Sequence, residues 1–211
     1  MDKGLFLVIS GPSGVGKGTV CKKVVGRNER LLHSISMTTR APRKGEKEGV
    51  DYNFVKEEEF IELIDSGAFM EWARVYGNYY GTPALRVEEI RAKGFDVLLE
   101  IDVQGAKQIR SNYEGGIFVF LLPPSMEELL RRIKERATDS SDNIAKRYSA
   151  AYNELQEVWK YDYFIVNNDI SSAVKRIEAI ILAEKCRVNK NNKLLYHILE
   201  KGDCSDTSVN R

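Results

Sequence analysis

The stretch Gly11-Pro12-Ser13-Gly14-Val15-Gly16-Lys17-Gly18-Thr19 decides the fold of this 211-residue chain. It directly follows the apolar run 5–9 and precedes a segment opened by Val20 and the basic pair Lys22-Lys23. A buried strand, a glycine-rich turn and a helix in this order form a loop whose backbone N–H groups point at an anion. Glycine tolerates the curvature, the helix N-terminus adds its positive dipole end, and Lys17 reaches the outer phosphates. The stretch therefore predicts that the chain binds a nucleoside triphosphate.

The composition is that of a globular protein without a general attraction to polyanions. Lysine and arginine total 32 against 31 acidic residues, a net charge of +1, so we expect neither nucleic acid nor a membrane as a partner. No stretch approaches the length of a membrane-spanning helix. The three cysteines, Cys21, Cys186 and Cys204, are far apart and odd in number. They predict reduced thiols and a cytoplasmic location rather than a disulfide framework or a metal cluster.

Continuous apolar runs predict the strands of a parallel sheet, because strands buried on both faces do not alternate. The runs are 5–10, 97–102, 117–122 and 163–166, with a weaker candidate at 31–37. Helical patterns lie between or after them at 88–93, 125–136, 144–159 and 173–186. This alternation predicts an α/β fold, a three-layer P-loop NTPase fold with a central parallel sheet.

Two segments interrupt the alternation. Residues 36–82 are rich in Arg, Gly, Glu and Tyr and predict a small subdomain, with a strand at 52–55 and a helix at 57–65. Residues 137–143 form a polar stretch between two helices that carry arginines. We expect both segments to cover the carboxyl ends of the strands, where open α/β sheets bind ligands and where a phosphoryl transfer must exclude water.

The phosphate loop alone leaves GTPases, ATPases and small-molecule kinases open. Three further motifs narrow the choice: Ser36-Met37-Thr38-Thr39-Arg40-Ala41-Pro42-Arg43-Lys44-Gly45-Glu46, Gly77-Asn78-Tyr79-Tyr80-Gly81-Thr82 and Glu100-Ile101-Asp102-Val103-Gln104-Gly105. With the phosphate loop, and in this order, they resemble the guanylate kinase family from about residue 4 to residue 186. The resemblance implies transfer of the γ-phosphoryl group of ATP to GMP, giving ADP and GDP with Mg²⁺, as a step of purine nucleotide metabolism. It also implies a P-loop core (1–35, 83–124 and 158–200), a GMP-binding subdomain (36–82) and a helical lid (125–157), with a flexible tail at 201–211.

The resemblance assigns the donor side of the site. ATP binding is expected from the phosphate loop and two further residues: Gly11, Pro12, Ser13, Gly14, Val15, Gly16, Lys17, Gly18, Thr19, Arg136 and Asn168. Lys17, Arg40, Arg136 and Arg147 are the expected catalytic residues, since guanidinium groups neutralise charge on the transferring phosphoryl group. The Thr19 hydroxyl is the candidate ligand of Mg²⁺, with water and phosphate oxygens as the other ligands. Arg131 and Arg132 are expected on a solvated helix face.

The acceptor side follows from the same resemblance and from hydrogen-bonding chemistry. The expected GMP-binding residues are Ser36, Arg40, Arg43, Tyr52, Glu71, Tyr80, Thr82, Asp102 and Arg147. Arg40 and Arg43, on either side of Pro42, can clamp a phosphate. The Glu71 carboxylate suits the two donors of guanine, N1–H and the 2-amino group, whereas adenine would turn an N1 lone pair toward it. The hydroxyls of Ser36 and Thr82 are expected to serve the base.

Three other functions fit parts of the sequence. A non-catalytic module of the same fold would typically lack a working phosphate loop, which this chain has. A kinase for AMP is disfavoured by Glu71 and the two hydroxyls. A GTPase would need an Asn-Lys-x-Asp segment, and the run Asn192-Lys193-Leu194-Leu195 lacks the aspartate. The oligomeric state is expected to be a monomer or a small homo-oligomer.

Overall fold

The computed structural model describes residues 3–75, 77–136, 141–188 and 197–199. The strands are β1 Phe6–Ser10, β2 Leu31–His33, β3 Met37–Thr38, β4 Asn53–Phe54, β5 Phe69–Val75, β6 Asn78–Pro83, β7 Asp96–Glu100, β8 Gly116–Leu122 and β9 Tyr163–Val166. The α-helices are α1 Lys17–Val25, α2 Glu57–Asp65, α3 Ala84–Ala92, α4 Val103–Asn112, α5 Met126–Arg136, α6 Ser141–Leu155 and α7 Ile170–Lys185. A 3₁₀ helix, Gln156–Lys160, follows α6. None of the helices among these residues has the length and apolar character needed to cross a membrane.

A five-stranded sheet in the order β2-β7-β1-β8-β9 forms the centre of the molecule. Its strands pair in parallel, and every residue of β1 is buried. Alternate side chains of β1 enter two cores: Leu7 and Ile9 pack with α1 and α7, whereas Phe6 and Val8 pack with α3 and α4. Helices on both faces of a parallel sheet confirm the predicted three-layer α/β fold.

A second sheet of four strands, in the order β4-β3-β6-β5, lies between β2 and α3 in the chain. Its long members, β5 and β6, form an antiparallel hairpin in which Glu71 is directly opposite Thr82. Helix α2 adds Phe60, which is fully buried and stacks on Phe69 and Tyr79. The chain therefore builds a second, smaller core outside the central sheet.

The structure corrects several predicted boundaries. The run 97–102 ends as a strand at Glu100, and Asp102 instead begins α4 as its N-cap, accepting a hydrogen bond from the Gly105 amide at 2.8 Å. The weak candidate 31–37 is divided between the two sheets. The helix expected to begin at 144 begins at Ser141, so only 137–140 of the polar stretch lies outside the described residues. The predicted tail, 201–211, also lies outside them.

The sequence analysis missed some elements. Strands β5 and β6 and helix α4 have no counterpart in the prediction, and α3 begins at Ala84 rather than at 88. The polar residues of β5 and β6 serve the site described below rather than an alternating pattern. Helix α2, by contrast, has the predicted bounds, because Glu57, Glu58 and Glu59 occupy its first turn, where acidic groups favour the helix dipole.

Replacing Leu98 by Ala tests the central core. Leu98 lies in β7 and is fully buried, so the substitution removes apolar contacts and leaves a cavity. We expect a loss of about 2–5 kcal/mol in the free energy of unfolding, measured by urea denaturation. Leu85, which is 78% exposed, is the matched control, and Leu85→Ala should change stability by less than about 0.5 kcal/mol. Equal losses at both positions would contradict this placement of the core.

Candidate active site

The phosphate loop lies at the carboxyl end of β1, at the centre of the sheet. Gly11, Gly14 and Gly16 have positive φ angles of 145°, 88° and 96°, a region that side chains disfavour. A Cβ atom at Gly11 would also lie 2.4 Å from the Leu121 carbonyl oxygen, so β8 leaves no room for one. The Lys17 Nζ donates to the Gly11 carbonyl at 2.6 Å across the loop. The loop is thus a concave turn with a lysine at its mouth, as predicted.

Helix α6 contacts this loop with two charged side chains. The Arg147 guanidinium donates to Ser13 Oγ at 3.3 Å, and the Ser13 amide donates to the Glu154 carboxylate at 3.2 Å. Burial raises the pKa of Glu154 above its ordinary value. Arg136 is the last residue of α5, and its side chain lies outside the part of the chain that the structure describes. Of the two predicted lid arginines, Arg147 is therefore placed against the phosphate loop.

Arg132 connects three segments, contrary to the expectation of a solvated helix face. From α5 its guanidinium donates to the carbonyls of Val15 at 3.3 Å and Asn167 at 3.1 Å, and to the Glu128 carboxylate at 2.7 Å. The side-chain amide of Asn167 donates from Nδ2 to the same Val15 carbonyl at 2.8 Å. Arg132 is 21% exposed, whereas Arg131 is 56% exposed and pairs with Glu128 and Glu135 on its own helix. The prediction was wrong for Arg132 and is confirmed for Arg131.

A cavity of about 500 Å³ opens between the phosphate loop, α5 and the segment after β9. Its walls are largely polar and include Gly16, Thr19, Lys23, Arg131, Arg132 and Asn168. Thr19 is exposed in the first turn of α1. The structure therefore brings together the phosphate loop, Thr19 and Asn168, three parts of the predicted donor site, around one opening.

Next to the second sheet, Arg40 lies among aromatic and acidic groups. The Arg40 Nε donates to the Tyr80 hydroxyl at 3.1 Å, and the guanidinium lies 5.4 Å from the centre of the Tyr52 ring. Burial, followed by the nearby Glu100 carboxylate, raises the pKa of Tyr52 to about 12. The Tyr52 hydroxyl therefore keeps its proton and remains a donor. Three of the predicted phosphate-binding groups thus converge.

Glu46 organises this cluster from the loop between β3 and β4. Its carboxylate accepts from the Arg40 guanidinium at 2.9 Å and from the Arg43 amide at 2.7 Å. Although partial burial opposes ionisation, these donors hold the pKa of Glu46 below its ordinary value. The Arg43 side chain is exposed. Glu46 lies within a motif quoted above, but its spacing gave no sign that it would hold Arg40.

Glu71 is a buried carboxylate in the middle of β5. The residue is 5% exposed, and its Oε1 accepts from the Thr82 hydroxyl at 2.6 Å across the hairpin. Burial raises the pKa of Glu71 to about 7, with the Thr82 hydrogen bond acting against the shift and Asp102 adding to it. The sequence analysis predicted that the Thr82 hydroxyl would serve the bound base. Here Thr82 is fully buried and donates to Glu71 instead.

Ser36 and Asp102, the other residues expected at the base, lie next to β3 and at the start of α4. The Ser36 carbonyl, just before β3, accepts from the Asn53 amide at 2.9 Å and ties β4 to that strand. Asp102 begins α4, whose first turn packs against β5. The Glu100 carboxylate lies against the first turn of α1, where a Cβ atom on Gly18 would be 3.3 Å from it. Acidic groups thus lie in two places: Asp102 is near Glu71, whereas Glu100 is near the start of α1 and Tyr52.

A parallel sheet with a phosphate loop after its central strand, and a second small sheet inserted after β2, are typical of the class of P-loop phosphotransferases. Comparisons with known proteins identify the family. The model of the family described as "Guanylate kinase" matches residues 3–184, and the chain belongs to the guanylate kinase family.

Individual relatives agree with the family match. The chain is 52% identical over 199 residues to the guanylate kinase of Caldanaerobacter subterraneus subsp. tengcongensis, covering 94% of this chain and 97% of the relative. It is 53% identical over 190 residues to that of Clostridium tetani, covering 90% and 91%. The crystal structure of guanylate kinase from Anaplasma phagocytophilum superimposes with a TM-score of 0.75 at 41% identity, covering 89% of each chain.

Arg132→Ala tests the link between the lid helix and the phosphate loop. Removing charge-assisted hydrogen bonds to Val15 and Asn167 should raise the KM for the nucleoside triphosphate about tenfold, with a smaller effect on kcat. The measurement is steady-state kinetics with the donor varied at saturating acceptor. Lys134→Ala, an exposed position on the same helix that does not line the cavity, is the control and should leave that KM within about twofold. Equal effects of the two substitutions would show that the contacts to the loop do not matter for donor binding.

Proposed function

We propose that this chain transfers the γ-phosphoryl group of ATP to GMP, giving ADP and GDP. The observation that carries the proposal is the buried Glu71 carboxylate. It lies in the same small sheet as Tyr80, which belongs to the cluster with Arg40 and Tyr52, and the chain also has a phosphate loop. A buried carboxylate is costly unless a ligand or neighbour satisfies it. Guanine satisfies it well, because N1–H and the 2-amino group donate in parallel to its two oxygens.

The same carboxylate provides discrimination between purines. Adenine would place the N1 lone pair against Glu71 and leave the charge unpaired. A polar mismatch of this kind in a buried site discriminates by a factor on the order of 10⁴. Thr82 contributes by holding one oxygen of Glu71 at 2.6 Å, and Ser36 and Asp102 complete the proposed base site.

The acceptor phosphate is proposed to bind at Arg40, Arg43, Tyr52 and Tyr80. Arg40 is already held by Glu46 and the Tyr80 hydroxyl, so its guanidinium loses little freedom when a phosphate arrives. An ionised phosphate oxygen is a competent nucleophile, and no general base is required. Lys17 and the loop amides are proposed to bind the β- and γ-phosphates, with Arg136 and Arg147 placed to neutralise charge on the transferring group.

Mg²⁺ is proposed as the cofactor, as the fold family implies. Within the described residues, no three His, Cys, Asp or Glu side chains are grouped so that they would hold a metal ion. Thr19, exposed in the wall of the cavity, fits a site where one protein hydroxyl joins phosphate oxygens and water. When bound, Mg²⁺ would neutralise charge on the donor phosphates.

The division into core (1–35, 83–124 and 158–200), GMP-binding subdomain (36–82) and lid (125–157) is part of the proposal. Strands β3 to β6 and helix α2 fall almost entirely within 36–82, and α5 and α6 within 125–157. We expect these two parts to close over the nucleotides so that water does not compete as acceptor. We further propose a cytoplasmic location, as the odd number of cysteines suggests, and a monomer or small homo-oligomer.

The test is a coupled assay of ADP formation from ATP and Mg²⁺ with GMP, AMP, IMP, UMP and CMP in parallel. Turnover confined largely to GMP is expected. Lys17→Ala is the control: it should keep the fold and lower turnover by several orders of magnitude, because the point charge on the outer phosphates is lost. Preference for another monophosphate would overturn the acceptor assignment, and near-normal turnover of Lys17→Ala would overturn the role of the loop.

The pKa of Glu71 predicts the pH dependence of GMP recognition. Below a pKa of about 7 the side chain gains a proton and loses an acceptor that guanine requires. We therefore expect kcat/KM for GMP to fall as the pH decreases from 8 to 6, approaching a tenfold loss per pH unit below the pKa. The KM for ATP should change much less over the same range.

Glu71→Gln separates this effect from the titration of the GMP phosphate, whose second pKa is near 6. The variant should have a higher KM for GMP and weaker selectivity over AMP, and its profile should retain only the contribution of the phosphate. Identical profiles for the variant and the wild type would show that guanine is recognised elsewhere.

A further inference from the structure

The Glu71 carboxylate packs directly against the first turn of α4, at Gly105. A Cβ atom built on Gly105 would lie 2.3 Å from Glu71 Oε2, 2.9 Å from Cδ and 3.3 Å from Cγ. Apart from the neighbouring backbone of α4, the three heavy atoms nearest to that position all belong to Glu71. On its other side the carboxylate is held by the Thr82 hydroxyl at 2.6 Å. The carboxylate therefore occupies a slot between β6 and α4 that exists because residue 105 has no side chain.

Strand β5 cannot move away from α4 to make this room. Gln108, one turn after Gly105, donates from Nε2 to the Trp72 carbonyl at 2.6 Å and accepts from the Trp72 amide at 3.2 Å. Met70, on the other side of Glu71, is buried in the same core as Ala106 and Ile109 of α4. Because the residues before and after Glu71 are both attached to α4, the distance between strand and helix is set independently of the carboxylate.

The backbone at Gly105 gives no other reason for glycine. Gly105 lies inside a regular helix, and its φ angle is not positive. At such a position alanine is the better helix former. The space taken by Glu71, rather than backbone conformation, is therefore the constraint on this residue.

We propose that Gly105 is a positioning residue for guanine specificity: it keeps open the slot in which the Glu71 carboxylate is held facing the base. The proposal rests on the proposed role of Glu71 in reading guanine. A methyl group at residue 105 would push the flexible end of the Glu71 side chain out of the slot and away from the Thr82 hydroxyl. The chain would still fold, but Glu71 would no longer recognise guanine.

Gly105→Ala is the test. We expect a melting temperature near or above that of the wild type, a KM for GMP raised about tenfold or more, and a KM for ATP unchanged within about twofold. The preference for GMP over IMP should shrink, because IMP lacks the 2-amino group that only a correctly placed carboxylate accepts. Lys107→Ala, an exposed change on the same helix, should leave all of these values unchanged. A wild-type KM and a wild-type GMP/IMP preference in Gly105→Ala would overturn the proposal.

A double-mutant cycle with Glu71→Ala separates this inference from the role of Glu71. Glu71→Ala should raise the KM for GMP, and adding Gly105→Ala should then cause no further change, because nothing remains to be displaced. An unchanged KM in Glu71→Ala would refute the proposed base site itself. An equal effect of Gly105→Ala in both backgrounds would refute only the positioning role.

The same cycle of wild type, Glu71→Ala, Gly105→Ala and the double variant also tests the proposal if Gly105→Ala fails to fold. If Gly105→Ala unfolds while the double variant folds, the clash with Glu71 is confirmed as the constraint at residue 105. If both unfold, the glycine is required for another reason and the proposal fails.

Discussion

The parallel pairing of β1 between β7 and β8 is the constraint on which the site depends. Parallel strands end at the same edge of a sheet, so the pairing of Ile9 with Glu100 brings the phosphate loop after β1 and Asp102 after β7 to the same edge. The close approach of Gly11 to the Leu121 carbonyl shows how little freedom the loop retains at this edge. Burial of β1 on both faces fixes the point at which the loop leaves the core.

A second constraint is the cost of keeping Glu71 ionised inside the protein. Burial raises its pKa to about 7, so the folded state binds that proton more tightly than the unfolded chain does. Its contribution to stability is therefore greatest at acidic pH and is lost as the pH rises through about 7. A ligand with two convergent donors removes this penalty when it binds. If Glu71 recognises guanine as proposed, selectivity for guanine and a loss of stability in the free protein have the same physical origin.

The charged groups around the two proposed phosphate sites differ in how far they are organised before ligands bind. Arg40 is fixed by Glu46, Tyr80 and the Tyr52 ring, and Arg132 ties α5 to the phosphate loop and to the segment after β9. Such preorganisation lowers the entropy lost on binding. The Arg43 side chain, in contrast, is exposed and would have to be ordered by the acceptor phosphate.

The sequence by itself determined the elements whose signals are local. The apolar run before Gly11 predicted β1 and the loop, continuous apolar runs predicted β7, β8 and β9 to within one or two residues, and the acidic first turn marked α2. Motif resemblance supplied the family, which the comparisons confirmed. These features depend on residues that are close together in the chain, and so they can be predicted without knowledge of the tertiary structure.

Only the tertiary structure decided which distant groups touch. The hydrogen bond from Thr82 to Glu71 requires the register of a hairpin whose strands show no regular alternation. The contact of Arg132 with Val15 joins residues 117 positions apart, and the slot at Gly105 depends on how α4 packs against β5. In each case the deciding quantity is a distance of a few ångströms between separate elements, and the packing of the folded chain sets that distance.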